Sequence, residues 1–137
     1  MREIWTKVLF DATPLACILF DEQFHIIDCN QEAVWMYGFN SKEEVKENFF
    51  SCAPDFQGSI RSAALLEAKL KQTMEEGKSI FFWLQNHVAG YMLATEVTLI
   101  RIKEDEKYWI AAYARDLQNE LDAREAAREA DERTRIM

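Results

Sequence analysis

The stretch DCNQEAVWMYGFNSKEE, residues 28–44, marks the two ends of a short helix and the start of a second one. Asn30 is a strong N-cap, because its side-chain oxygen accepts a hydrogen bond from a first-turn N–H. Gly38 ends the first helix, since glycine adopts positive φ at little cost. Ser41 and Glu44 then match a capping box, in which each side chain satisfies a free backbone donor of the other residue. The stretch therefore predicts two short helices in succession.

Apolar runs on the N-terminal side of this stretch predict a β-hairpin. LACILF, residues 15–20, is a continuous apolar run typical of a buried strand, and FHIID, residues 24–28, follows a polar turn. Apolar residues at helical spacing before Pro14 predict a short amphipathic helix within residues 1–13. The hairpin and the two short helices indicate that strand and helix patterns alternate early in the chain.

The C-terminal side of the stretch predicts a longer helix and then three strands. The helix covers about residues 59–76 and ends at Gly77. The strands cover about residues 79–85, 91–102 and 107–115, and they carry apolar side chains on both faces. Because strands at both ends of the chain must meet in one sheet, the pattern predicts an α+β fold. One sheet face takes the helices, and the other needs the N-terminal helix or a second subunit.

The last segment, residues 117–137, is rich in Ala, Glu and Arg and contains no Gly or Pro, so we expect an exposed helix. Asp116 can cap its first turn. Its apolar stripe beyond Leu117 and Leu121 is alanine, which is too thin to fix a stable coiled coil alone. The segment is therefore predicted to be a stiff connector, with Asp116 and Leu117 as the residues that pass a signal to it.

Composition narrows the classes of function. The chain has 137 residues, a single-domain length, and a formal net charge of −8, which disfavours nucleic acid and an anionic membrane surface as partners. The three cysteines match no zinc pattern and fit a reducing cytoplasm. Neither a signal peptide nor a membrane-spanning run is visible. We expect a cytoplasmic segment without direct membrane contact, whose longer parent protein could itself be membrane-anchored.

The ordered series of motifs resembles the PAS family, or sensory box, over about residues 8 to 117. It includes QEAVWMYGF, the capping SKEE, Gly77 before a strand, Gly90 in a hairpin and EVTLIRI. The series departs from the family at Glu22-Gln23 in the first hairpin, at Ala89, and at Leu117-Gln118 where the family often has Ile-Thr. The resemblance implies a five-stranded antiparallel sheet in the order 2-1-5-4-3, a PAS domain at residues 14–116 and a homodimer formed through the flanking helices.

The chemistry of known PAS cofactors finds little match in these residues. The region around Cys52 reads FFSCAPDFQ and lacks the Arg and Leu-Gln of the flavin-adduct motif, and residues 59–76 contain no His for haem. No cofactor and no metal is therefore predicted. Cys29 lies at a helix N-terminus, which would lower the pKa of its thiol, but we favour the alternative that it is an unreactive structural cysteine. Asp28, at a strand end, is the candidate base if the chain is a small isomerase-like enzyme.

A small-ligand pocket between sheet and helices is the remaining candidate site, and the same side chains could instead fill the core. The primary hypothesis is a non-catalytic sensory or relay module of a multidomain bacterial signalling protein, a two-component histidine kinase, with a downstream output domain. The alternatives are a ligand-free dimerisation module, a sensor linked to a diguanylate cyclase, and the enzyme. The candidate pocket residues are Trp35, Phe50, Leu70, Met74, Trp83, Val97, Leu99 and Tyr113.

Overall fold

Five strands of the computed structural model form one antiparallel sheet. The structure describes residues 10–136, and the side chains of residues 119–121 and 134–136 are left out of the description. The predicted helix within residues 1–13 thus lies mostly outside the described residues, which begin with helical residues 10–12. The strands and helices of the described part are, in chain order, β1 (Ala16–Phe20), β2 (Ile26–Cys29), α1 (Gln31–Tyr37), α2 (Lys42–Asn48), β3 (Phe56–Gln57), β4 (Ile60–Arg61), α3 (Ser62–Glu76), β5 (Lys78–Asn86), β6 (Met92–Glu104), β7 (Lys107–Asp116) and α4 (Leu117–Ile136).

The large sheet has the order β2-β1-β7-β6-β5, and every pair in it is antiparallel. Counted along this sheet alone, the order is 2-1-5-4-3, as the family resemblance implies. The difference lies in β3 and β4, a separate two-stranded hairpin that the sequence did not predict. Because the hairpin takes up residues 56–61, helix α3 begins at Ser62 and not near Ser59.

The helices cover one face of the sheet, which we call the inner face. Alternate residues of each strand point to this face, as the pleat of a strand requires. Val97 and Leu99 of β6 lie in one core cluster with Val34 of α1 and Leu66 of α3. The other face, the outer face, keeps several large apolar side chains exposed, among them Ile80, Phe82, Ile100 and Ile102.

Asn30 joins the first hairpin to helix α1 and is itself fully buried. Its Oδ1 accepts hydrogen bonds from the N–H of Ala33 at 3.0 Å and of Cys17 at 2.9 Å. Its Nδ2 donates to the carbonyls of Leu15 at 2.8 Å and Phe10 at 3.0 Å. The predicted N-cap is confirmed, and the same side chain also ties β1 and the segment before it to the helix.

The hairpin between β5 and β6 packs against the end of helix α1. Gly38 adopts φ +83°, and its N–H bonds back to the last turn, as predicted for a helix stop. The imidazole of His87 lies where a Cβ on Gly38 would be, and it stacks on the Tyr91 ring at 4.3 Å between centroids. The N–H of Val88 donates to the Tyr37 carbonyl at 3.1 Å. Gly38 is therefore required both by the backbone and by close packing.

The capping box of α2 is confirmed in one half only. The Ser41 hydroxyl accepts from the Glu44 N–H at 3.2 Å, as predicted. The Glu44 carboxylate, however, accepts from the N–H of Asn40 at 2.9 Å and not from that of Ser41. The carboxylate thus satisfies the donor one residue earlier.

Candidate functional site

A small void lies between the inner face of the sheet and the helices. Its volume is about 20 Å³, which is room for about one water molecule. The lining is almost entirely apolar, and the described residues that form it include no aspartate or histidine. They are Ile18, Phe20, Tyr37, Phe49, Leu66, Phe81, Trp83, Val97, Leu99, Ala112 and Ala114.

Five of the eight predicted pocket residues lie in or against this core. Trp83, Val97 and Leu99 line the void itself. Leu70 is buried in the same cluster, and Met74 packs against it partly buried. Strand alternation and the apolar stripe of α3 predicted these positions, because both periodicities report which side chains share a face.

Trp35, Phe50 and Tyr113 are the three predicted pocket residues that the structure places elsewhere. Trp35 is 65% exposed, because the neighbours that α1 buries, Ala33, Val34 and Tyr37, lie on the opposite side of the helix. Phe50 is about half exposed in a 3₁₀ turn, where its ring packs against those of Phe20 and Phe49 but lines a surface pocket and not the void itself. Tyr113 alternates with Ala112 and Ala114 of the inner face, so its side chain points to the outer face, as do those of its cross-strand partners Cys17 and Thr98.

The predicted pocket omitted several residues that line the void, of which Phe20, Tyr37, Phe49 and Phe81 are aromatic. Phe81 could have been found, because it lies two residues before Trp83 on the same strand and so shares its face. Phe49 and Tyr37 pack edge to face, with ring centroids 5.2 Å apart. That contact joins the last residue of α1 to the residue that follows α2, and it has no signature in local sequence.

Hydrogen bonds hold the indole of Trp83 in a fixed position. Its Nε1 donates to Gln85 Oε1 at 2.9 Å, and Gln85 Nε2 donates to the Phe49 carbonyl at 2.8 Å. The Thr95 hydroxyl donates to the Trp83 carbonyl at 2.7 Å. Because Gln85 and Thr95 are fully buried, the network stabilises one packing of this wall. The Trp83 N–H already has a partner and is not a free donor for a ligand.

Burial controls the pKa values of the Cys17 and Cys29 thiols. Desolvation raises the pKa of Cys17 to about 12, although a hydrogen bond with Tyr113 acts in the opposite direction. Desolvation, together with the charge of Asp28, raises the pKa of Cys29 to about 11. The expectation that the helix N-terminus would lower the pKa of Cys29 is therefore wrong, because Cys29 is fully buried and water cannot solvate its thiolate.

Thiol labelling tests these environments. We expect 5,5′-dithiobis(2-nitrobenzoate) at pH 8 to modify the half-buried Cys52 in the native chain, and Cys17 and Cys29 only after unfolding. The physical reason is that the thiolate is the nucleophile, and both burial and a raised pKa suppress it. In Cys52→Ser the native protein should show no rapid reaction. A rapid reaction in that variant would contradict the assignment.

Asp28, the candidate base, does not line the void. It lies on β2, and its Oδ1 accepts a hydrogen bond from the N–H of Cys29 at 2.8 Å. A general base has to reach the proton that it removes within hydrogen-bond distance. Because Asp28 is not among the described residues that line the void, the enzyme hypothesis gains no support from its position.

Strand β7 runs directly into helix α4 at Asp116. The Asp116 Oδ1 accepts from the N–H of Gln118 at 2.9 Å, so the predicted capping interaction is present. Arg115 bonds to Glu96 of β6 at 3.2 Å, on the outer face. From Asp122 to Arg133 every side chain is exposed.

A groove of about 530 Å³ lies on the outer face of the sheet. Leu19, Trp109 and Tyr113 form its floor with Phe10 at one side. The indole N–H of Trp109 is buried and has no hydrogen-bond partner among the described residues. No helix among residues 10–136 is long and apolar enough to cross a membrane.

Comparisons with known proteins agree with this architecture. The family model for the PAS fold matches residues 10–121. A PAS domain from Colwellia psychrerythraea is 20% identical, with a TM-score of 0.66, and the match covers 85% of this chain and 97% of that one. The PAS domain of an HTR-like protein from Haloarcula marismortui is 19% identical, with a TM-score of 0.67 and coverage of 84% and 91%.

A domain of a sensory box sensor histidine kinase/response regulator from Geobacter sulfurreducens is 15% identical, with a TM-score of 0.62 and coverage of 84% and 94%. These identities show the fold alone. The comparison with curated proteins found no match. The family match spans the whole sheet, the helices on its inner face and the first turn of α4, and this chain belongs to the PAS family of sensory domains.

Proposed function

We propose that the chain is a non-catalytic relay module that passes changes in core packing to helix α4. The observation that carries the proposal is the course of β7. Its inner side contributes Ala112 and Ala114 to the wall of the void, and its last residue, Asp116, caps the helix. No linker separates the wall from the connector, so a shift of the strand has to move the first turn of α4.

The pairing of β7 supports this role. β7 pairs with β1 on one side and with β6 on the other, so it is held at the centre of the sheet. Residues in such a position move with their neighbours, because packed interiors have discrete arrangements and deform little within each. A signal that favours a second arrangement of the inner face would then shift the population of helix orientations.

The small volume of the void favours relay from a filled core over tight binding of a large ligand. About 20 Å³ holds no molecule larger than about one water. A small ligand would first have to displace side chains such as Leu66 or Phe81. The second candidate is therefore a very small apolar or weakly polar ligand. A structurally similar PAS domain, 15% identical, from a LuxR-family transcriptional regulator of Burkholderia thailandensis was solved in complex with ethanol.

We also propose that the parent is a bacterial histidine kinase of a two-component system, with this module in the cytoplasm. The support is that structurally similar PAS domains come from a two-component sensor histidine kinase and from a sensory box histidine kinase. A diguanylate cyclase output would use the same connector. The homodimer is proposed to form through the flanking helices, because the described side chains of α4 from residue 122 to 133 are exposed and therefore accessible to a second copy.

Replacing residues 117–137 in the longer protein tests the relay. A Gly-Ser segment of equal length should abolish the response of the output domain, because a flexible chain transmits no orientation. The matched control is an unrelated Ala-, Glu- and Lys-rich helical segment of the same length behind an unchanged Asp116, which should preserve most of the response. A fully coupled Gly-Ser variant would refute the relay.

Release of any bound compound tests the second candidate. The absorption spectrum of the purified protein should show only its aromatic side chains, and mass spectrometry after denaturation should find no stoichiometric small molecule. A compound released at about one per chain would favour the ligand sensor over the filled-core relay.

A further inference from the structure

Strand β5 forms one edge of the large sheet, and its unpaired side can be assigned residue by residue. In an antiparallel pair, alternate residues direct their N–H and C=O towards the partner strand, and the others direct them away. The Leu84 N–H donates to Gln57 Oε1 at 2.8 Å, and Gln57 Nε2 donates to the Leu84 carbonyl at 2.8 Å. The backbone groups of Leu84 therefore point outward, away from β6.

The same alternation fixes the rest of the strand. Gly77 and His87 bond instead to the β6 side, through Arg101 N–H to the Gly77 carbonyl at 2.9 Å and His87 N–H to the Tyr91 carbonyl at 2.8 Å. The register between β5 and β6 continues without a bulge from Lys78 to Asn86. The even-numbered residues of β5 thus direct their backbone N–H and C=O groups away from β6. Among residues 10–136, the outward N–H and C=O groups of Ile80 and Phe82 have no hydrogen-bond partner.

The side chains of Ile80 and Phe82 are also unusual for an open edge. They lie on the outer face and are 54% and 55% exposed. Sheet edges are commonly protected by charges, proline or a bulge. The strand KSIFFWLQN carries a single charge, at Lys78, and contains no proline. Gln57 covers the edge at Leu84, so the stretch around Phe81 is left as the open segment.

We propose that this edge pairs with β5 of a second copy of the chain, so that two sheets join into one continuous sheet. An antiparallel pairing with its two-fold axis at Phe81 sets Ile80 of each copy opposite Phe82 of the other. Both pairs would be hydrogen-bonded, since all four residues direct their backbone groups outward. Their apolar side chains would also meet on one face.

Other features fit a second copy as the occupant. The axis at Phe81 sets Lys78 opposite Leu84 of the other copy, whose outward backbone groups are bonded to Gln57. The paired segment is therefore residues 79–83, and Lys78 lies outside it, away from Lys78 of the other copy. The net charge of −8 repels two copies, while the paired segment itself has no negative charge. We therefore expect dimerisation at this edge to strengthen with ionic strength, because salt screens the repulsion between the bodies of the copies. This edge is distinct from the flanking helices.

A proline variant tests whether the chain associates through this edge or through another surface. The N–H of residue 82 points away from β6, so Phe82→Pro removes no hydrogen bond within the chain but blocks pairing at the edge. Sedimentation velocity over a hundredfold range of concentration should show a monomer–dimer equilibrium for the native chain and at least a tenfold weaker one for Phe82→Pro. Phe82→Val, which keeps the N–H, should retain more of the association than Phe82→Pro.

Cysteine pairing keeps the proposal testable if the proline variant fails to fold. In a Cys52→Ser background, a mixture of Ile80→Cys and Phe82→Cys chains should form a disulfide-linked heterodimer on mild oxidation, several-fold more than either variant alone. A native chain that stays monomeric throughout overturns the proposal. So does a native dimer unaffected by Phe82→Pro, which would leave the flanking-helix dimer standing.

Discussion

Asn30→Asp is expected to destabilise the chain by about 3 kcal/mol or more at pH 7, because two of the four hydrogen bonds of this fully buried residue need its amide N–H groups as donors. The introduced carboxylate can still accept from the N–H groups of Ala33 and Cys17. It cannot donate to the carbonyls of Leu15 and Phe10, and it would face both of them as a buried charge. Urea unfolding followed by circular dichroism measures the loss.

The penalty at position 30 should depend on pH in a definite direction. Burial and two facing carbonyls would raise the pKa of the introduced carboxyl above its unfolded value of about 3.9. The folded variant then holds a proton that the unfolded chain releases, so its stability falls as pH rises from about 4 through the raised pKa. The difference in unfolding free energy between Asn30→Asp and the native protein should therefore be smaller at pH 4.5 than at pH 7.

Asn40→Asp is the matched control, because it makes the same chemical change at an exposed residue. We expect a change within about 0.5 kcal/mol for this variant. If Asn30→Asp proved as harmless as the control, the hydrogen bonds assigned to Asn30 would be wrong.

Gly38→Ala is expected to cost about 3 kcal/mol, from two separate causes. A residue with a Cβ at φ +83° is strained by on the order of 1 kcal/mol. The added Cβ would also collide with Cε1 of His87, whose ring has to move and give up its stacking on Tyr91. The unfolding midpoint in urea, compared with that of the native chain, gives the effect.

The chain supplies a control for each cause. Gly58 has φ +64° with open space around its Cβ position, so Gly58→Ala should show the backbone strain alone, about 1 kcal/mol. In a double-mutant cycle, Gly38→Ala should cost less stability in the His87→Ala background than in the native chain, because the imidazole that collides with the new Cβ is then absent. Equal losses for the two glycine variants would refute the packing of His87 against Gly38.

Local chemistry predicted much of the fold. Asn30 and Gly38 bound helix α1 as expected, because capping depends on a few adjacent atoms. The β3–β4 hairpin was missed, since strands of two residues are too short to show any periodicity. Gln57, in that hairpin, bonds to β5 across 27 positions in the sequence, and no local pattern signals such a bond.

The candidate site was harder to predict than the fold, because a residue belongs to the site only if its side chain lies on the inner-facing side of its helix or strand. Trp35 is apolar in a helix with a buried face, yet it lies on the other face, where three-dimensional packing decides its exposure. Tyr113 was assigned to the wrong side of a sheet that is apolar on both sides. Its face follows only from the register that pairs it with Cys17, and composition carries no register.

The central claim, that packing at the inner face reorients α4, is tested most directly by a distance measurement between spin labels. One label replaces the exposed Lys71 of α3 and the other Ala126 of α4, in a Cys52→Ser background diluted with unlabelled chain. Ala112→Val overfills the void, whereas Ala111→Val adds the same methyl groups on the other side of the same strand, beside the wide outer groove.

The account predicts that Ala112→Val shifts the mean label distance by about 2 Å or more, the scale of helix shifts in known switches, while Ala111→Val leaves it unchanged. Indistinguishable distance distributions for the two variants, with both folded, would contradict it.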